Sequence, residues 1–278
     1  MRLLILFFKI KGLFLRKLPD RFFYFLAKLL ALFWFYIIRI RRGVAIQNIM
    51  LSLKVSESEA KKIALNSLIN ITTSFLEFIS QRGVNIDFKN FEQIESHIQS
   101  GAIVVTAHTG NWDVLERAAG LKNLRLGLIS RRSSFSPIMK FLENIRDSRG
   151  EVVFYQNSSI AGMCRFLRGG GFLGIAIDQN MPPRHGRPAV FFNQEVNTTF
   201  APQILSIRTG LPIIPVFIRR VKEKNFEVIA YEAERPKDDS EKGIRDSMDR
   251  MNLILEEFIR RYPDQWLWIH RRFKPLQR

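Results

Sequence analysis

The chain has 278 residues, 46% of them apolar and 24 of them Phe. That suits one large domain with a substantial core and excludes a disordered chain. Its 43 Lys and Arg outnumber 26 acids, for a formal charge of +17, so an anionic partner is expected: nucleic acid, a membrane surface, or an acidic protein or substrate. The single cysteine, Cys164, excludes an intramolecular disulfide. The histidines at 97, 108, 185 and 270 form no spaced ligand cluster, so no metal site is expected.

Residues 1–17 read as a basic amphipathic helix. Phe22–Ile38 is an apolar run of 17 residues broken only by Lys28. At about 1.5 Å per residue it is marginal for crossing a bilayer. Arg39, Arg41 and Arg42 follow directly, which argues against a cleaved signal peptide. Residues 1–42 hold ten cationic side chains and one acid, Asp20. Nucleic-acid arms are basic and polar, whereas this segment is basic and greasy, the mark of a membrane anchor. The bland alternative is a buried hairpin of a soluble protein. The expected division is therefore an anchor over 1–42 and a catalytic domain over 43–278, with membrane lipids as partners and no nucleic acid.

Residues 43–99 read as helical, with Ser56 starting a helix whose first turn carries Glu57 and Glu59. From Gly101 short apolar runs alternate with helical stretches. The predicted strands are Ala102–His108, Arg125–Ser130, Val152–Gln156, Phe172–Asp178, Pro188–Phe192, Pro212–Arg219 and Phe226–Tyr231. The predicted helices are Trp112–Gly120, Pro137–Arg149, Ser159–Leu167, Phe200–Gly210 and one over 240–261. This pattern predicts an α/β fold: a mostly parallel central sheet of about seven strands flanked by helices, with the hydrophobic N-terminal helix as anchor.

In such a sheet, sites form beyond the carboxyl ends of strands. Two strand ends carry ionisable residues. At the first, His108 ends a strand, Gly110 allows a tight turn, and a helix begins near Asn111 with Asp113 in its first turn. A carboxylate on one imidazole nitrogen leaves the other free to take a proton. The alternative is a structural strand end, with Asp113 serving the helix dipole. No G-x-S-x-G elbow or activated cysteine supplies an enzyme nucleophile, so the nucleophile should be a substrate hydroxyl. At the second strand end, Asp178 and Gln179 precede the loop MPPRHGRP; that loop reads as a cover for the site or as a structural turn. Arg131 and Arg132 read as a phosphate clamp or as a solvated pair.

Taken together, TAHTGNWDVLE (106–116), SRRSSFSP (130–137), IAIDQNMPPRHG (175–186), VFFNQEVNTTFAPQILSIRTGLPIIPVFIRR (190–220) and YPDQWLWIHRRFK (262–274) resemble the late acyltransferases of lipid A biosynthesis, within the lysophospholipid acyltransferase superfamily. The resemblance implies transfer of a fatty acyl chain from acyl carrier protein, or from coenzyme A, to a hydroxyl of a lipid A precursor. No cofactor is implied. The partners implied are the acidic carrier protein and an anionic glycolipid, and the location implied is the inner membrane, with the catalytic domain facing the cytoplasm. His108 matches the family's catalytic base and Asp113 its acidic partner, where Glu is commoner. Arg132, with Arg131 behind it, matches a substrate-binding arginine, and Asp178 and Gln179 match a further block near the site. Gly110 and Asn111 are candidate oxyanion donors, an arginine being the other choice. Where relatives read F-F-G, this chain has Phe191-Phe192-Asn193, which is expected to reshape that loop. Trp266, Trp268, Arg271 and Arg272 read as an interfacial belt or as a packed C-terminal element. The competing functions are acylation of another phospholipid or glycolipid, and a non-catalytic membrane-associated binding protein.

Overall fold

The computed structural model describes residues 11–130, 144–146, 149–155 and 158–274. Its helical N-terminal half begins with α1 (residues 11–17) and α2 (Asp20–Phe33), which runs on through a π-helical turn, Trp34–Ile38. Next come α3 (Arg42–Leu53) and α4 (Glu57–Ser80). The Ser56 hydroxyl accepts the N–H of Glu59 at 3.2 Å and caps α4; Gln81, at φ 50, ends it. Strand β1 (Asn85–Lys89) and the short α5 (Glu92–Glu95) lead into the α/β portion.

That portion runs β2 (Ala102–Thr106), α6 (Trp112–Leu121), β3 (Leu126–Ser130), β4 (Val152–Tyr155), α7 (Ile160–Arg168) and β5 (Phe172–Ala176). A hairpin of β6 (Gly186–Phe191) and β7 (Gln194–Thr199) follows. After it come α8 (Ala201–Thr209), β8 (Ile213–Lys222), β9 (Asn225–Ala230) and α9 (Glu241–Arg261). The main sheet has seven strands in the order β1-β9-β8-β2-β5-β3-β4. Every neighbouring pair is parallel except β8–β9.

The sheet is the one expected, but its membership differs. The segment 43–99 is not all helix: NIDFK forms the edge strand β1. Its alternating exposed and half-buried residues are the pattern of a strand with one wet face, and they are too few to overrule the helical texture around them. The predicted strand over 188–192 pairs instead with β7, in a separate antiparallel hairpin. Both central residues of its turn have positive φ, Phe192 at 51° and Asn193 at 57°, the pattern of a type I′ turn. Asn is among the few residues besides glycine that adopt this conformation, which suits Asn193 to its place in the turn. The predicted helix over 137–149 lies mostly outside the described residues; 144–146 are helical.

Both faces of the sheet are covered. On one, Ile103, Val105, Leu173 and Ile175 pack with Ala45, Leu68, Leu255 and Phe258 from α3, α4 and α9. On the other, Ala102, Phe172, Ile214 and Val216 pack with Val114 and Ala118 of α6. A third, small cluster joins Phe23 and Ala27 of α2 to Leu76 of α4. Trp266, Trp268 and Arg272 are all fully buried and belong to a packed element rather than an interfacial belt, while Arg271 is exposed.

Candidate active site

Strands β2 and β5 are parallel neighbours, in register from Ala102↔Phe172 to Thr106↔Ala176. Continuing that offset two residues past each strand sets His108 beside Asp178. The imidazole Nδ1 lies 2.9 Å from Asp178 Oδ1. The backbone N–H of His108 and the indole N–H of Trp266 both donate to Asp178 Oδ2, each at 2.9 Å. An Asp178 carboxylate filled by these partners fixes the tautomer with hydrogen on Nδ1, leaving Nε2 unprotonated and able to accept. Nε2 faces Gln179, whose side-chain amide nitrogen lies 3.4 Å away. Trp112 stands edge-on to the imidazole, its ring centre 5.5 Å off.

Burial opposes charge on His108, yet the Asp178 carboxylate prevails by charge and hydrogen bond and raises the imidazole above its ordinary value. Burial alone would push Asp178 up; its partners His108 and Trp266 instead hold it well below the usual carboxylate range.

Asp113 does not face His108. It is buried and accepts from Arg149 Nη1 at 2.9 Å. One turn on, Glu116 makes a two-pronged pair with Arg146, at 2.6 and 3.1 Å. Burial raises the Glu116 carboxyl despite this partner.

Gly110 adopts φ 50, and a Cβ there would meet the Ile218 carbonyl oxygen at 2.6 Å; only glycine fits. Its N–H donates to the Gln265 carbonyl at 2.8 Å, so it is already engaged and does not point at a substrate. Its carbonyl accepts from Asn70 and Ser74 of α4, at 2.9 and 3.1 Å. Asn111 is likewise structural: it caps α6 by accepting the Asp113 N–H and donates to Glu77 Oε2 at 2.8 Å. Glu77 also holds Arg220 through both oxygens, at 2.6 and 2.8 Å. Arg131 and Arg132 lie outside the described residues.

Several members of this constellation carry no site role in the sequence reading: Trp266, Arg272, Glu77 and the Glu116–Arg146 pair. Arg272 donates to the carbonyls of Gln179 and Asn197 and to Thr198 Oγ1, at 2.7, 2.8 and 2.6 Å, tying the chain end to the site. The only available signal was the density of large aromatics and arginines in QWLWIHRRFK.

A cavity of about 620 Å³ opens beside His108 and Gln179. Its walls include Val104, Thr106, Leu115, Leu128, Gly174, Phe172, Ile94 and Phe91. Met181 and His185 of the loop after Gln179 also line it. The β3–β5 pairing ends at Leu128↔Gly174. Where it ends, the cavity also reaches Ile129, Ile175 and Leu205 on the other face.

His108, held by a carboxylate through Nδ1, thus lines a mostly apolar cavity. The bacterial lipid A biosynthesis acyltransferase family matches residues 2–275, and the chain belongs to that family. It is 23% identical over 235 residues to the lipid A biosynthesis lauroyltransferase of Escherichia coli, covering 80% of this chain and 74% of the relative. To the palmitoleoyltransferase of the same organism it is 28% identical over 178 residues, covering 63% of this chain and 56% of that one. Among solved structures, the 1-acyl-sn-glycerophosphate acyltransferase of Thermotoga maritima superposes with a TM-score of 0.40 at 12% identity, covering 90% of this chain and 100% of that one.

Proposed function

We propose that this chain transfers a fatty acyl group from acyl–acyl carrier protein to a hydroxyl of a lipid A precursor, with His108 as general base and Asp178 as its orienting carboxylate. The observation that carries the reading is that His108, held through Nδ1 by Asp178, lines a mostly apolar cavity with its Nε2 met only by the Gln179 amide at 3.4 Å among the described residues, in a chain of this family. His108 Nε2 takes the hydroxyl proton as the oxygen attacks the thioester carbonyl carbon. The tetrahedral intermediate collapses, the C–S bond breaks, and the same nitrogen returns the proton to the departing thiolate. An ester and a free carrier thiol result. The Gln179 amide is the oxyanion donor best placed for this. The acyl chain occupies the cavity, where apolar burial is worth about 0.8 kcal/mol per methylene.

The same reading sets the protein on the cytoplasmic face of the inner membrane. Among the described residues, Asp20–Ile38 is apolar enough to cross a bilayer (mean hydropathy 1.7), and so is Glu57–Ser80, which is mostly buried in the domain. Phe23, Ala27, Ala31 and Phe35, at every fourth position, are buried against the protein, while Phe22, Phe25, Phe33 and Ile37 are each more than half exposed. A helix held along its length by the domain on one side and greasy on the other suits shallow insertion in one leaflet.

The test is mass spectrometry of lipid A precursor incubated with membranes holding the protein and a mixed pool of acyl–acyl carrier proteins. A mass gain of one acyl chain is expected, absent with His108→Ala. No gain from folded wild-type protein, followed by a gain on lysophospholipid, would move the acceptor elsewhere.

A further inference from the structure

We propose that Gly174 sets the length of acyl chain this protein accepts; the inference rests on the cavity being the acyl site. Along β2 and β5, alternate residues face the α6 side of the sheet. Thr106, Val104, Ala176, Gly174 and Phe172 thus form one continuous wall of the cavity. By strand register it runs from His108 back to Phe172, which clusters with Ile94 and Phe91, also cavity-lining.

Depth along the wall follows from strand geometry. Gly174 pairs with Val104, and Phe172 with Ala102. At about 3.3 Å per residue, Val104 lies about 13 Å from His108 and Ala102 about 20 Å. An extended hydrocarbon, with bonds of about 1.52 Å and angles near 111°, advances about 1.25 Å per carbon. About ten carbons therefore reach Gly174 and about sixteen reach Phe172. Any longer-than-medium chain must pass over Gly174.

The backbone does not require glycine there, since its φ is not positive, unlike that of Gly110. Nor does dense packing require it. At Gly171 and Gly127 an added Cβ would strike the Phe166 ring, at 2.4 and 2.8 Å, so those are glycines because an aromatic fills the space. At Gly174 the Cβ would meet only the Leu128 Cδ2 methyl at 3.0 Å and the Gly127 carbonyl oxygen at 3.6 Å. Leu128 itself lines the cavity and is not fully buried, so its tip can yield. What a side chain at 174 would occupy is the cavity.

The experiment offers membrane-bound full-length protein a ladder of saturated acyl–acyl carrier protein donors, from shorter than about ten carbons to longer than about sixteen, with lipid A precursor as acceptor. Product masses are read for wild type, Gly174→Leu, Gly174→Ala and Phe91→Ala. Gly174→Leu is expected to raise the ratio of short-chain to long-chain product by about tenfold or more. Gly174→Ala should move it the same way by less, and Phe91→Ala, which opens the far end, the opposite way. Wild-type product profiles in active variants would overturn the assignment of Gly174 while leaving acyl transfer standing. If Gly174→Leu fails to fold, unchanged profiles in the other two decide equally. Wild-type protein that transfers no chain of any length would instead overturn the acyl-transfer reading, and this inference with it.

Discussion

Trp266 donates its indole N–H to Asp178 Oδ2 at 2.9 Å, so a residue 88 positions along the chain from Asp178 finishes the site that β2 and β5 begin. The indole packs edge-on against Trp268 and Phe191, with ring centres 4.6 and 5.6 Å away, which locks its direction. Trp266→Phe keeps most of that packing and removes the donor. We expect kcat to fall about tenfold with KM little changed, because the carboxylate that orients His108 loses one of its three partners. Stability should fall by about 1–3 kcal/mol, the usual penalty for an unsatisfied buried polar partner. Steady-state kinetics and thermal unfolding check both; unchanged kcat in a folded variant would mean that Asp178 needs no help from the chain end.

Asp178 and Asp113 should separate cleanly under mutation. Asp178→Asn presents an amide to Nδ1 and disturbs the tautomer; loss of a tautomer-fixing carboxylate lowers turnover by as much as about 10⁴ in serine proteases. We expect a fall on the order of 10³ here, by the same mechanism. Asp113→Asn meets Arg149, not His108, so its main effect should be on stability: half-buried Arg149 loses one charged partner but keeps Gln81 and Glu151, a loss of about 1–3 kcal/mol. Transfer assays at matched folded-protein concentration distinguish the two. A larger catalytic loss in Asp113→Asn would restore Asp113 as the partner of His108.

Both strand ends of the site were visible in the sequence, as apolar runs closing on His108 and on Asp178-Gln179. What local pattern could not supply was that β2 and β5 are neighbours, because strand order is fixed by nonlocal packing. Chain proximity made Asp113 the nearer candidate, and spacing cannot say which way a first-turn side chain points after a turn with φ 50. Gly110 itself was legible as a turn, although the three partners of its carbonyl and N–H lie on α4 and at Gln265. Edge strand β1, with only Ile86 and Phe88 turned inward, carried too little pattern to stand out from the helical stretch around it.

The pH dependence follows from the His108–Asp178 pair. Catalysis needs neutral His108, so transfer should rise with pH and level off above the raised folded-state value of the imidazole. Asp178→Asn removes the main group raising it, so the acid limb of the profile should move to lower pH. Stability runs in two directions. Because His108 is raised in the folded state, its contribution is full below the unfolded value near 6.5 and is lost as pH rises through the folded one. Because Asp178 is lowered, its contribution is present above the unfolded value near 3.8 and is lost as pH falls through the folded one. A kcat profile whose acid limb sits at the same pH in wild type and Asp178→Asn would detach the limb from this pair.

Removal of residues 1–42 is a poor test of the anchor, because α2 is also structural. Tyr24 donates to Glu77 at 3.3 Å, Arg82 pairs with Asp20, and Phe23 and Ala27 cover Leu76. Truncation would strip these contacts from α4, the helix that also holds Gly110, Asn111 and Arg220. The exposed face offers a cleaner route. Phe25→Asp with Phe33→Asp places two charges on side chains that are more than half exposed and leaves the buried stripe intact. Each charge strongly opposes entry into hydrocarbon, by about 2.5–3.5 kcal/mol at a bilayer centre. We expect the double variant to leave the membrane fraction on flotation while its unfolding temperature changes by no more than a few degrees. Full retention on membranes would move the attachment to another surface, because the face that α2 turns away from the domain would then have no part in it.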